Sequence, residues 1–335
     1  MKYFQWYYLL SVSLVISTLF HSGTIRADIG AGPITCTQGS VNTIGEFAFG
    51  VVDPLSSQIS TSATLNYECK GNGNSASARV CFTFGPLAST NMYRDIPAPN
   101  NSIMNFSLFS DPSLSNIITS ANPLQATFNT ETSAKVSRSM TVYAQTLAKQ
   151  TTLFPGPYFL QQQVFMTVNS VEGSTAPANC ITPVEADISS TDQIPYTSRA
   201  SVSAHCSVTT TGSLELGSVA ASTSATSGSS ANLINVTCTN DTPYNIGLSP
   251  SNGDKNGAGV MKGSGGNSDL VPYQLQSDAN GKVWGNNGST YSTLTNGVLG
   301  QGTGAVQSHT VHVIVPSADF KPDTYSDIVT INVNY

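Results

Sequence analysis

Leu65, Tyr67 and Cys69 alternate with polar residues along the chain. So do Val311, Val313 and Val315, and so do Val329, Ile331, Val333 and Tyr335. A period of two buries one face of a strand and leaves the other wet. Clusters of Gly, Asn, Ser and Pro break these runs at short intervals. The pattern therefore predicts an all-β chain of short strands packed as sandwiches. The Gly/Asn-rich stretches 251–268 and 285–290 read as loops within a domain.

The pattern also repeats. Cys36-Thr37 leads to Leu65-Asn66-Tyr67-Glu68-Cys69, and Cys206-Ser207 leads to Ile234-Asn235-Val236-Thr237-Cys238. Phe106 to Asp111 parallels Tyr273 to Asp278, and Met140 to Ala144 parallels His309 to Val313. Tyr158 to Asn169 parallels Tyr325 to Asn334. The order is collinear, which implies two homologous domains. The expected boundaries are 28–190 and 191–335, with the polar stretch 187–203, holding Pro195, as the joint.

Composition narrows the class. The chain has 335 residues, of which 10% are charged, and Ser, Thr and Asn number 46, 37 and 26. That mix disfavours long helices. Disorder is disfavoured too, because disordered chains pair low hydrophobicity with high charge. The net charge of −6 gives no general attraction to nucleic acid.

Lys2 precedes an apolar stretch centred on Leu9 to Phe20, and Ile25-Arg26-Ala27 offers a cleavage site. Residues 1–27 read as a secretory signal peptide. A membrane anchor is the other reading, for which the apolar stretch is short. Cleavage would leave 11 basic and 19 acidic side chains, a net charge of −8. All six cysteines follow that segment, and an even number in an exported chain reads as disulfides. Cys36 to Cys69 spans 33 residues and Cys206 to Cys238 spans 32, which suggests one bridge per repeat. Cys81 and Cys180 would then pair with each other. No C-x-x-C pair suggests zinc.

The two copies end differently. The last alternating run of the second copy reaches Tyr335, whereas about seventeen residues follow Asn169 in the first, including Val184 to Asp187. The first copy has material for one more strand. A sandwich lacking its last strand has an open edge and an apolar groove, which Val329, Ile331, Val333 and Tyr335 would line. A strand from another chain normally fills such an edge. A complete fold ending at Tyr335 is the alternative.

The signal peptide, the Cys-to-Cys spacing and the Asp323-Thr324-Tyr325-Ser326-Asp327 run before an alternating strand resemble the spore coat protein U domain. That family also builds subunits of archaic, Csu-type chaperone–usher pili. One copy resembles a pilin, and two copies resemble a tip adhesin with an N-terminal surface-binding domain and a C-terminal pilin domain. The resemblance implies two immunoglobulin-like sandwiches, the second completed by donor-strand complementation. It also implies a periplasmic chaperone, an outer-membrane usher and a next subunit whose N-terminal extension fills the groove. Export through the periplasm to a pilus tip at the cell surface follows, with attachment to abiotic or host surfaces and biofilm formation. Only Asp28 to Thr35 would precede Cys36 after cleavage, and Gly30, Gly32 and Pro33 interrupt them. They make a poor donor strand, which suits a subunit that accepts without donating.

Three expected loops of the first domain are apolar where their counterparts are polar or charged. They are Leu87 to Tyr93, Leu114 to Pro123 and Thr151 to Tyr158, against Pro250 to Gly253, Gly285 to Gly288 and Ala318 to Pro322. Exposed apolar groups often mark interaction sites. The expectation is that Met92, Tyr93, Ile117, Ile118, Leu153 and Phe154 gather at the far end of the first domain as hydrophobic fingers. The other reading of each is a core side chain. A glycan site built on Tyr93, Arg94 and Asp95 is a rival, and a structural coat protein or pilin is a third. Nothing points to an enzyme, a cofactor or a metal site. His309 and His312 are three apart on a strand and face opposite sides. There is no G-x-S-x-G elbow, and Gly257-Ala258-Gly259 with Lys262 lacks P-loop spacing.

Overall fold

A computed structural model describes residues 32–38, 44–56, 58–84, 90–95, 102–180 and 193–335. The expected signal peptide, Leu87 to Ser89 and Val184 to Asp187 lie outside the described residues. All regular secondary structure among the described residues is β-strand, arranged as two immunoglobulin-like sandwiches.

In domain one, β1 (Ile34–Gln38), β3 (Ser60–Gly71), β8 (Val136–Thr146) and β6 (Ile103–Phe109) form one layer. The other holds β7 (Leu124–Thr130), β4 (Ala76–Phe84), β9 (Gly156–Glu172), β10 (Gln193–Val202) and β2 (Gly45–Val52). Short β5 (Asn91–Arg94) joins β6 to β9 and closes one side. Between the layers lie Phe47, Leu65, Phe82, Phe106, Tyr158 and Ile194, all fully buried.

Domain two repeats this plan. One layer contains β11 (Cys206–Thr210), β12 (Thr226–Cys238), β17 (Val306–Val315), β15 (Leu270–Gln276), β14 (Ala258–Gly263) and β18 (Tyr325–Ser326). The other contains β16 (Val298–Gln301), β13 (Pro243–Ser249) and β19 (Thr330–Asn334). Trp284 is buried at the centre and donates its indole N–H to the Ile246 carbonyl at 2.7 Å.

The disulfides join Cys36 to Cys69, Cys81 to Cys180 and Cys206 to Cys238. The first and third link directly opposed residues of β1–β3 and β11–β12. That equivalence anchors the repeat. Each bridge contributes about 3–5 kcal/mol by restricting the unfolded chain.

The structure corrects the expected boundary. Residues 193–202 are neither a joint nor part of domain two. They form β10, the last strand of domain one, antiparallel to β9 and parallel to β2. Ser170 to Glu172 still belong to β9. The chain then runs through bends to Cys180, which ties it to β4. Polar composition hid β10, because only its inward positions must be apolar or small. Ile194, Tyr196, Ser198, Ala200 and Val202 all point in and are buried, while Thr197, Arg199 and Ser201 form the wetter face. Pro195 sits near the start of the strand, where its carbonyl accepts a hydrogen bond from Ile44 N–H at 3.1 Å.

Only Ser203, Ala204 and His205 separate β10 from β11. Thr239 N–H donates to the His205 carbonyl at 2.8 Å, and Asn240 Nδ2 donates to the Thr152 carbonyl at 3.0 Å. The turn before β9 thus rests against domain two.

Tyr196 meets Phe47 and Phe84 edge-on, with ring centroids 5.8 and 5.6 Å away. Replacing it with alanine should destabilise domain one by about 3–5 kcal/mol. Urea unfolding followed by circular dichroism should show the loss. The fluorescence transition of Trp284, which reports domain two, should stay in place.

Candidate functional site

Domain two has an open flank. β11 pairs with β12 alone and β19 with β13 alone among the described residues. Two strand edges in opposite layers are therefore unpaired on the same side. Between the layers lies a cavity of about 410 Å³. Leu233, Leu248, Leu275, Val313 and Ile331 give it apolar walls.

β19 shows the consequence. The inward row that leads into and along it, Val329, Ile331 and Val333, is only half-buried although it packs on the core. The matching row of β9, Val164, Met166 and Val168, is buried. The alternation is the same in both copies, so composition does not cause the difference. Tyr335 is 53% exposed and stands edge-on to His205 with centroids 6.3 Å apart.

The lining also holds polar residues, among them Thr210, Glu215, Ser326 and a hydrogen-bonded pair. Tyr273 Oη donates to Asp327 Oδ2 at 2.5 Å, and both residues line the cavity. Burial pushes the Asp327 carboxyl up, but hydrogen bonds from Ser251, Tyr273 and Ile328 outweigh it and hold the group below its ordinary range. Burial, then the hydrogen bond and charge of Asp327, push the Tyr273 phenol up. The pair stays as carboxylate and neutral phenol across the neutral range.

Domain one presents a different picture from the expected fingers. Met92, Ile118 and Leu153 are core residues, so the structure does not leave them free to contact a surface. The reasons are local. Met92 lies opposite Met104 in the β5–β6 pair, which turns it inward. Ile118 is held against β6 by its N–H to the Leu108 carbonyl at 2.9 Å. Leu153 closes a turn through its N–H to the Gln150 carbonyl at 3.0 Å. Tyr93 and Ile117 are outward, 51% and 49% exposed. Phe154 is half-buried beneath the Arg94 guanidinium, 5.5 Å from its ring centroid. Arg94 also bonds to the Pro155 carbonyl, so it anchors this turn, while neighbouring Asp95 is exposed.

These loops do not gather at the far end. Tyr93 pairs with Ile103, whereas Ile117 bridges Phe109, six residues along β6. That separates them by about 20 Å. The Phe154 turn abuts domain two. β9 runs from Gly156, opposite Val202 at the domain junction, to Glu172, opposite Ala76. The end distant from domain two therefore carries the 72–75 and 131–135 turns and the residues after Glu172. Asn72, Asn74, Glu131, Thr132, Lys135, Ser174 and Thr175 are exposed there, so this end is polar.

The profile of the Spore Coat Protein U domain matches residues 27–159 and again 192–332. The chain belongs to this family. Among solved structures, it is similar to a chain of the CsuC–CsuE chaperone–tip adhesion subunit pre-assembly complex from archaic chaperone–usher Csu pili of Acinetobacter baumannii. That match has 16% identity and a TM-score of 0.47, over 90% of this chain and 100% of that one. The CupB6 tip adhesin of Pseudomonas aeruginosa is 9% identical with a TM-score of 0.34, over 91% of this chain and 94% of that one. CfaE, the adhesive subunit of CFA/I fimbria of enterotoxigenic Escherichia coli, is 9% identical with a TM-score of 0.32, over 86% and 92%. No curated protein matches the chain.

Domain two should weaken in mild acid. Burial lowers the pKa of His309, whose Nε2 lies 3.1 Å from Tyr244 Oη. The unfolded chain takes up a proton at about 6.5, whereas the folded domain resists it. The stability contributed by the neutral imidazole is therefore present above that value and lost as pH falls. The urea midpoint read by Trp284 should drop between pH 7 and pH 5. H309Q should flatten that drop, and an unchanged slope would exclude His309 as its source.

Proposed function

We propose that this protein is the tip adhesin of a chaperone–usher pilus, exported through the periplasm to the cell surface. One observation carries the reading: two copies of one fold differ along one flank, where domain one has β2 and β10 and domain two has a counterpart of neither among the described residues. Domain one is closed by its own β10, whereas domain two leaves β11, β19 and the apolar cavity open. A fibre can continue from domain two by strand addition. Domain one offers no such groove and is the headpiece. A periplasmic chaperone first shields the groove, and at the outer-membrane usher the N-terminal strand of the next subunit replaces it.

For the surface contact, Tyr93 and Ile117 are the apolar residues of the set exposed enough to reach an abiotic or host surface and support biofilm formation. Each buries only part of a side chain, so single contacts are weak and many pili multiply them. The polar far end favours a second reading, in which a hydrophilic target such as a glycan is met by the 72–75 and 131–135 turns.

Coexpression with the chaperone of its own pilus system tests the strand-accepting part. Wild type should copurify as a one-to-one complex, and I331D should reduce recovery of that complex at least tenfold while domain one stays folded. Equal recovery would refute the reading. In assembled pili, Y93A combined with I117D should lower binding to polystyrene without lowering fibre yield. Unchanged binding, together with inhibition by a soluble sugar, would move the contact to the polar end.

A further inference from the structure

We infer that the outer face of domain one, across strands β6, β5, β9, β10 and β2, is a platform for a neutral, unbranched β-1,4-linked glucan chain. The site shares Tyr93 with the surface contact proposed above, but the inference stands without the tip-adhesin reading.

The strand register lines up two outward rows. Ile103 lies opposite Tyr93, and Tyr93 opposite Phe159. Phe159 lies opposite Arg199, and Arg199 opposite Ala48. The alternate neighbours Met104, Met92, Tyr158, Ser198 and Phe47 are buried, so this row faces out. Tyr93 and Ile103 are exposed and Phe159 is half-buried. Two residues along each strand, the next outward row holds Asn105, Asn91, Gln161, Thr197 and Glu46. With the usual strand spacing and rise, the two rows cover about 19 by 14 Å.

One row is largely apolar and the row beside it is polar. Arg199 extends the apolar row, because its guanidinium lies over the Phe159 ring, 4.9 Å from the centroid. Its Nε bonds to Glu46 Oε1 at 3.2 Å. The planar guanidinium thus continues the surface begun by the Tyr93 ring and keeps its Nη groups for a ligand. Among the described residues, no hydrogen bond engages the Tyr93 hydroxyl or the side-chain amides of Asn91, Asn105 and Gln161.

Shape and charge select the occupant. The face falls well short of the roughly 800 Å² that a stable protein partner buries on each side. An extended peptide cannot add as a strand here, because β5, β9 and β10 are already paired on both sides. An anionic membrane is not attracted either, since Arg199 is the one cation of the two rows and is paired with Glu46. A β-1,4-linked glucan is a flat ribbon with C–H groups on its ring faces and hydroxyls along its edges. Laid across the strands, it rests its faces on Tyr93 and the Arg199 guanidinium and turns one edge to the amides. Those amides both donate and accept, as sugar hydroxyls do.

Cellohexaose binding to the full chain, measured by isothermal titration calorimetry, tests this. Wild type should bind it at least tenfold more tightly than maltohexaose, whose α-linkages curve the chain. Y93A and R199A should each weaken binding about tenfold. Q161A should weaken it about fivefold, the loss of one hydrogen bond. I117D should leave sugar binding unchanged, and every variant should keep the urea midpoint of domain one. No cellohexaose binding by wild type would overturn the inference. So would binding that survives both Y93A and R199A, or that goes equally to maltohexaose. Binding of phosphatidylglycerol vesicles in place of the sugar would make this face a membrane contact and overturn it too. None of these outcomes bears on chaperone copurification, so the tip-adhesin reading is tested separately.

Discussion

The pairing of one strand, β10, with β9 on one side and β2 on the other decides how each part of this molecule behaves. A sandwich short of that strand has two costs at once. Backbone N–H and C=O groups stand unpaired along its edges, and the apolar wedge between the layers stays unfilled. Domain one removes both costs internally. Ten residue pairs join β10 to β9, and the inward row from Ile194 to Val202 completes the core. Domain two bears both costs along β11 and β19.

The rest of domain two is built to tolerate that state. The Cys206–Cys238 bridge holds β11 to β12 where β11 would otherwise peel from an incomplete sheet. Trp284, Tyr244 and Ile246 give the closed side a full core while Val329, Ile331 and Val333 stay half-buried on the open side. The Tyr273–Asp327 hydrogen bond keeps the Asp327 charge satisfied at the cavity wall. At the junction, the three residues between β10 and β11 and the Asn240–Thr152 bond hold the loop before β9 against domain two. That contact makes the base of domain one a joint and leaves the opposite, polar end as its outermost surface.

Much of this was legible in the residues. The period-two runs at 65–69, 311–315 and 329–335 are strands or lead directly into one, and the two cysteine spacings mark equivalent strand pairs. The site was only partly legible. Met92, Ile118 and Leu153 looked like loop residues because β5 is four residues long and the other two lie in turns. Their burial follows from cross-strand and turn hydrogen bonds that composition does not reveal. β10 was missed because serine and alanine fill two of its five inward positions.

By itself the sequence determined the alternation, the repeat and the cysteine spacing, since each is a local property of residue type and order. The tertiary structure alone decided which apolar residues are inside, which segment closes domain one and which flank of domain two is open. Those outcomes depend on pairing between residues far apart in the chain.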